Sequence, residues 1–231
     1  MQQLTLDIAP LPQPSLQNFV TGANAQLLSV LSAALAGNSN DRRLCLWGGP
    51  GSGKSHLLAA CVAAGGGSFH ACDEDRAGDA IAIAEGDSAL LALDDVDKLD
   101  AAGQIALFNL INRRDAQAGA GILIMSCSHP PAATGLRADL ATRLAQGLVL
   151  EVVALTDAEK AAALARHAAE RGMQMNEEVI RYLLTHRSRD LPALVAVLDA
   201  LDKYSLQMHR PITLRLLREI LQTQADTGTP R

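Results

Sequence analysis

Gly48-Gly-Pro-Gly-Ser-Gly-Lys-Ser55 stands between an apolar run, Leu44-Cys-Leu-Trp47, and a helix-favouring run, His56-Leu-Leu-Ala-Ala-Cys-Val-Ala-Ala64. The order is strand, glycine loop, helix, the setting in which backbone N–H groups converge on a polyphosphate. Glycines fill such a loop because side chains would block that approach. On this reading Gly48, Gly49, Pro50, Gly51, Ser52 and Gly53 form the cradle. Lys54 reaches the β and γ phosphates, and Ser55 ligates Mg²⁺. The helix entered through His56 adds its positive N-terminal end. A glycine-rich turn that binds nothing leaves Lys54 and Ser55 unexplained.

Further along, Ala89-Leu-Leu-Ala-Leu-Asp-Asp95 is a continuous apolar run ending in two acids. A parallel strand buried on both faces reads this way, with its chemistry at the carboxyl end. Asp94 is expected to hold Mg²⁺ through its waters, and Asp95 to orient or activate an attacking water. The plainer alternative is that both acids cap the next element. Ser68 to Ala71, Gly121-Ile-Leu-Ile-Met125 and Leu148-Val-Leu-Glu-Val-Val153 also read as strands, with Ser126-Cys-Ser128 closing the second of them. Asn24 to Leu35 and Gln104 to Ala118 read as helices. The alternation predicts an α/β fold, a parallel sheet covered on both faces.

Two residues near these strands have open readings. Ser128 is placed either to touch the γ-phosphate or its water, or to serve as a turn residue before Pro130-Pro131. Arg143, in Asp139-Leu-Ala-Thr-Arg-Leu144, is either a transition-state finger or a solvated helix residue.

After Leu155 the character changes. Thr156-Asp157 caps a helix running through Arg171, and helices are expected from Asn176 to Thr185, from Asp190 to Tyr204 and from Pro211 to about Gln224. The expected organisation is a polar tail at 1–14, an α/β base at 15–155 and a small helical domain at 156–231. Arg189 opens one of these helices and can fold back onto the phosphates. Arg187 is a rival for that role, and an ordinary surface ion pair is the alternative for both.

Hydrophobic residues make up 48% of the 231 residues, which excludes disorder throughout. A net charge of −5 argues against a broad electrostatic grip on nucleic acid. Cys45, Cys61, Cys72 and Cys127 have no metal-ligand spacing and are expected to be reduced. No secretory signal or membrane-spanning run is visible, so a cytoplasmic location is expected.

Several phrases together resemble AAA+ ATPases of the DnaA branch. Gly53-Lys-Ser-His-Leu-Leu58 is similar to the branch's Walker A exit, including the His, and Leu93-Asp-Asp-Val96 to its double-Asp Walker B. Ser126-Cys-Ser-His-Pro-Pro131 resembles the sensor 1 segment, and Asp139-Leu-Ala-Thr-Arg143 the box carrying the arginine finger. Ser188-Arg-Asp-Leu191 resembles the start of the sensor 2 helix, which favours Arg189 over Arg187. Phe108-Asn-Leu-Ile-Asn-Arg113 resembles the helix after Walker B, and Phe19-Val20 with Gly22 the segment that packs near adenine.

The resemblance implies an AAA+ base with a helical lid, binding ADP or ATP with Mg²⁺. Three departures from DnaA shape the rest. Nothing after about Gln224 reads as DnaA's helix-turn-helix domain, so direct specific DNA binding is expected to be missing. The stretch from Phe69 to Ala89 is short and acidic where DnaA inserts basic material. The amino terminus is a tail that contains Gln3, Leu4, Thr5 and Leu6, similar to the peptide by which bacterial proteins dock on the sliding clamp, the β subunit of DNA polymerase III. Extended, this peptide would present Leu4 and Leu6 on one side.

The combination resembles regulators of the branch whose partners are DnaA and the clamp, with a homodimer also admissible. In that role Arg143 would complete DnaA's own ATP site in trans. Intrinsic hydrolysis is expected to be poor, because Asp95 stands where AAA+ enzymes commonly carry a longer glutamate. A helicase loader or a replication-initiation ATPase is the rival reading.

Overall fold

The computed structural model describes residues 13–72, 88–117, 121–173, 175–186, 191–208 and 212–218. They fall into two compact units, one of Gln13–Ala154 and one that takes in the chain from Leu155.

The first unit runs α1 (Ala25–Leu35), β1 (Arg43–Trp47), α2 (Lys54–Gly65), β2 (Ser68–Ala71), β3 (Leu90–Asp94), α3 (Ala101–Ala116), β4 (Ile122–Cys127), α4 (Ala138–Ala145) and β5 (Leu148–Glu151). The strands form one parallel sheet in the order β2-β3-β4-β1-β5. β4 continues two residues beyond Met125, because Ser126 and Cys127 stay in register with Leu46 and Trp47 of β1.

The apolar strands hide a period of two. Leu44 and Leu46 of β1, and Leu90 and Ala92 of β3, face one cluster with Leu27 and Leu31 of α1 and Leu57, Leu58 and Cys61 of α2. Cys45, Leu91 and Leu93 face the other, against Leu107 and Ile111 of α3 and Leu140 and Leu144 of α4. Both sheet faces are covered, so alternation of polarity is lost while alternation of direction remains. Each leucine removed fully from water contributes about 1.5–3 kcal/mol.

In the second unit α5 (Asp157–Glu170), α6 (Glu177–His186) and α7 (Leu191–Met208) close around Leu164, Val179, Leu183, Leu198 and Leu201. Thr156 and Glu159 form a capping box at the start of α5. The Thr156 hydroxyl accepts from the Glu159 amide at 3.2 Å, and the Glu159 carboxylate accepts from the Thr156 amide at 2.8 Å. The Thr156 amide, and after it the Thr156 hydroxyl, which also donates to the Glu159 carboxylate at 2.8 Å, hold that carboxyl below its usual range. Asp199 of α7 takes His167 at 2.7 Å and Arg171 at 3.3 Å, fastening α5 to α7. Among the described residues no helix is long and apolar enough to cross a membrane.

Candidate functional site

The sheet order places the exit of β4 between the loop leaving β1 and the acids ending β3. At this carboxyl edge the Gly48 amide donates to the Cys127 carbonyl at 3.3 Å. A Cβ on Gly48 would lie 2.5 Å from the Val152 carbonyl oxygen, so the loop starts where only glycine fits. Gly51 and Gly53 have φ of +70° and +101°, in the left-handed region that favours glycine. No atom lies within 4 Å of a Cβ built at Gly49 or Gly51, so that side of the loop is open.

Lys54, 8% exposed, folds back onto the loop, its Nζ donating to the carbonyls of Gly48 at 2.7 Å and Gly49 at 3.3 Å. The Ser52 hydroxyl is buried and lacks a hydrogen-bond partner. Ser55 is exposed at the first turn of α2. A buried ammonium resting on carbonyls, an unsatisfied hydroxyl and a side-chain-free rim fit a polyphosphate.

Opposite the loop, Asp94 is buried, and its Oδ1 accepts from the Ser126 hydroxyl at 2.5 Å. The same Ser126 oxygen accepts from the Asp95 amide at 2.7 Å, so one serine fixes both acids. Asp95 has φ +54°, the only positive φ of a non-glycine among the described residues, and its carboxylate pairs with Lys98 at 2.7 Å. Ser128 is held by Asp97, whose Oδ2 accepts from its amide at 3.0 Å and from its hydroxyl. The Ser128 hydroxyl also lies 3.0 Å from Nδ1 of His129. Burial pushes the Cys72 thiol up to about 12, with Asp94, Asp95 and Asp97 adding to the rise. The end of β2 therefore lies in the field of these carboxylates. Among the described residues no group of three or more His, Cys, Asp or Glu is arranged to hold a metal. A Mg²⁺ at Asp94 and Ser55 would complete its shell with phosphate oxygens and water.

A strap over residues 13–20 closes on the loop. Ser15 and Asn18 cap each other, amide to side chain, at 2.9 and 3.2 Å. Nε2 of His56 lies 3.1 Å from the Ser15 carbonyl oxygen. The Phe19 ring meets the His56 ring at 5.7 Å between centroids and fills the space a Cβ on Gly53 would need, 2.7 Å from it.

Arg143, in the last turn of α4, lies 5.9 Å above the Phe108 ring and donates to Gln146 Oε1 at 3.3 Å. Its guanidinium lies in contact with the exposed Gln146 side chain, and the residue is only half-buried. Thus Gly48 to His56, Asp94 and Asp95 gather at one sheet edge. Gln3, Leu4, Thr5, Leu6, Arg187 and Arg189 lie outside the described residues. Sequence reasoning missed Ser126, Asp97, Lys98 and Asn24. The available signal for Ser126 was a hydroxyl at the end of an apolar strand, where burial demands a partner.

Known proteins bear out the fold. Residues 157–221 match the family description "Hda, lid domain". An uncharacterized protein of Haemophilus influenzae (strain Rd) is 32% identical over 238 residues, covering 95% of this chain and 98% of that protein. Domain III of the Thermotoga maritima replication initiation protein DnaA superposes with a TM-score of 0.69 at 18% identity, over 93% of this chain and 98% of that one. AMPPCP-bound DnaA from Aquifex aeolicus gives 0.64 at 23% identity, over 81% of this chain and 65% of that one. The architecture is that of an AAA+ protein: a parallel α/β base and a helical lid.

Proposed function

The chain belongs to the Hda family of DnaA-related AAA+ proteins, and from that premise we propose that it is a negative regulator of chromosomal replication initiation that stimulates hydrolysis of DnaA-bound ATP. The observation that carries this reading is the placement of Arg143. Its guanidinium lies along the half-buried Phe108 ring and meets the exposed Gln146 side chain. A guanidinium delivered to a neighbour's site can add about 10³–10⁵ in rate.

In this reading the chain holds ADP or ATP in its own loop. Lys54 leaves the Gly48 and Gly49 carbonyls for phosphate oxygens, and the Ser52 hydroxyl gains an acceptor. Mg²⁺, when bound, neutralises phosphate charge between Ser55 and Asp94. Asp95 is tied by Lys98, which supports weak hydrolysis in its own site. By its resemblance to the sensor 2 arginine, Arg189 is assigned to the nucleotide. Gln3 to Leu6 dock on the sliding clamp, which raises the local concentration of the body near its target. The partners are DnaA and the clamp, in the cytoplasm.

The test is a reconstituted reaction with clamp loaded on DNA and ATP-bound DnaA. Wild-type protein accelerates hydrolysis. Arg143→Ala folds, binds nucleotide and clamp, and fails to accelerate. Replacing Leu4 and Leu6 by Ala removes clamp binding and spares nucleotide binding. Full stimulation by Arg143→Ala would falsify the finger assignment.

A further inference from the structure

We propose that His56 is a positioning residue for the nucleobase: it latches the strap over residues 13–20 onto the mouth of the phosphate loop, and so makes the site prefer a nucleotide over bare phosphate. The proposal rests on the nucleotide reading above and adds the residue that gives it specificity.

His56 is the third residue of α2, directly after Lys54 and Ser55. Its Nε2 faces the Ser15 carbonyl at 3.1 Å. A carbonyl only accepts, so the hydrogen bond requires the proton on Nε2, a condition met by one neutral tautomer and by the cation. The same ring meets Phe19 at 5.7 Å, tilted by 46°. His56 thus holds the strap at two points four residues apart.

The strap transmits that hold. The reciprocal Ser15–Asn18 hydrogen bonds and the donation from Asn18 Nδ2 to the Gln13 carbonyl at 2.9 Å close it into a turn. Leu16 and Phe19 pack against the cluster formed by α1 and α2. Fixing Ser15 therefore fixes Phe19, whose ring lies on Gly53, the residue just before Lys54.

A ligand whose phosphates sit on the loop amides must leave over the loop's rim. At Gly53 that rim carries a half-buried aromatic ring. Charge on the loop and lysine binds any polyphosphate, whereas an aromatic wall adds affinity only for a ligand with a flat ring of its own. Cutting the latch separates the two contributions.

The experiment measures binding of ADP and of inorganic pyrophosphate, each with Mg²⁺, by calorimetry on wild type, His56→Ala and His56→Gln. His56→Ala is expected to weaken ADP about tenfold, the loss of roughly one hydrogen bond and its ordered ring, with pyrophosphate unchanged within about twofold. His56→Gln, whose amide can donate to the Ser15 carbonyl, recovers ADP to within about threefold of wild type. In ligand-free His56→Ala, amides of residues 15–20 exchange faster while those of α2 do not. Equal weakening of both ligands overturns the proposal, since it means general damage to α2. So do unchanged ADP binding and unchanged strap exchange. Equal wild-type affinity for ADP and pyrophosphate removes this inference alone. Wild-type binding of neither removes the nucleotide reading and this inference with it.

Discussion

Asn24 holds Val153 by both of its backbone groups: Nδ2 donates to the carbonyl at 2.9 Å, and Oδ1 accepts from the amide at 2.8 Å. Asn24 stands at the N-cap of α1 but makes no side-chain cap there, and it is 2% exposed. Its amide group is committed to a chain segment 129 residues away, next to the Val152 carbonyl that crowds Gly48. Asn24→Ala leaves a buried donor and acceptor unpaired and is expected to cost about 1–3 kcal/mol. Asn24→Asp keeps the acceptor and sets a carboxylate against a carbonyl, so it should cost at least as much. Urea unfolding of the two variants checks both.

Lys54→Ala is expected to weaken ADP binding by about two orders of magnitude, since charge-assisted bonds to phosphate are the strong ones. The readout is ligand stabilisation. Wild type at 100 times its Kd gains about 2.7 kcal/mol, and the variant at the same ADP concentration gains little.

Gly53→Ala places a Cβ 2.7 Å from the Phe19 ring on a residue with φ +101°. The backbone alone costs about 1–2 kcal/mol, and the clash adds to it. Combining the change with Phe19→Ala removes the clash and leaves the backbone cost. The double variant should therefore be less destabilised than the sum of the single changes, which a double-mutant cycle in urea measures.

Alkaline pH acts through buried thiols. Burial pushes Cys61 from 9.0 up to about 12, and burial together with the neighbouring carboxylates does the same to Cys72. A thiol whose folded pKa is raised stabilises the fold fully below the unfolded value. That contribution is lost as pH rises from 9.0 toward 12. The urea midpoint should fall across this window, and replacing Cys61 and Cys72 by Ala should make the fall shallower, the remainder coming from Cys127, whose thiol is raised by its contact with Cys45 and by burial. A thiolate-specific reagent at pH 8 should leave both residues unmodified until the chain unfolds.

The parts of the site written in adjacent residues were legible. Gly48 to Ser55 declares strand, loop and helix because its geometry is local, and the run ending at Asp94-Asp95 declares a doubly covered strand. What joins segments distant in sequence was not. Ser126 meets the acids from a strand 31 and 32 positions away, and Asn24 meets Val153 from still farther. Ser128, which sequence left open between phosphate contact and turn, has its hydroxyl engaged by Asp97 and beside His129. By resemblance Phe19 reads beside adenine, but its need for a bare Gly53 appears only when the strap is folded. Long-range hydrogen bonds carry no periodicity, so no window of sequence reveals them.

Asp95 keeps a left-handed backbone that glycine would adopt at less cost, by about 1 kcal/mol. Its amide is tied to Ser126 and its carboxylate to Lys98. Laboratory evolution for heat resistance will therefore be drawn to this position, offering Asp95→Gly as an easy gain. The hardier proteins it returns will have exchanged an acid beside the phosphate loop for comfort, and thermal screening by itself will not notice the loss.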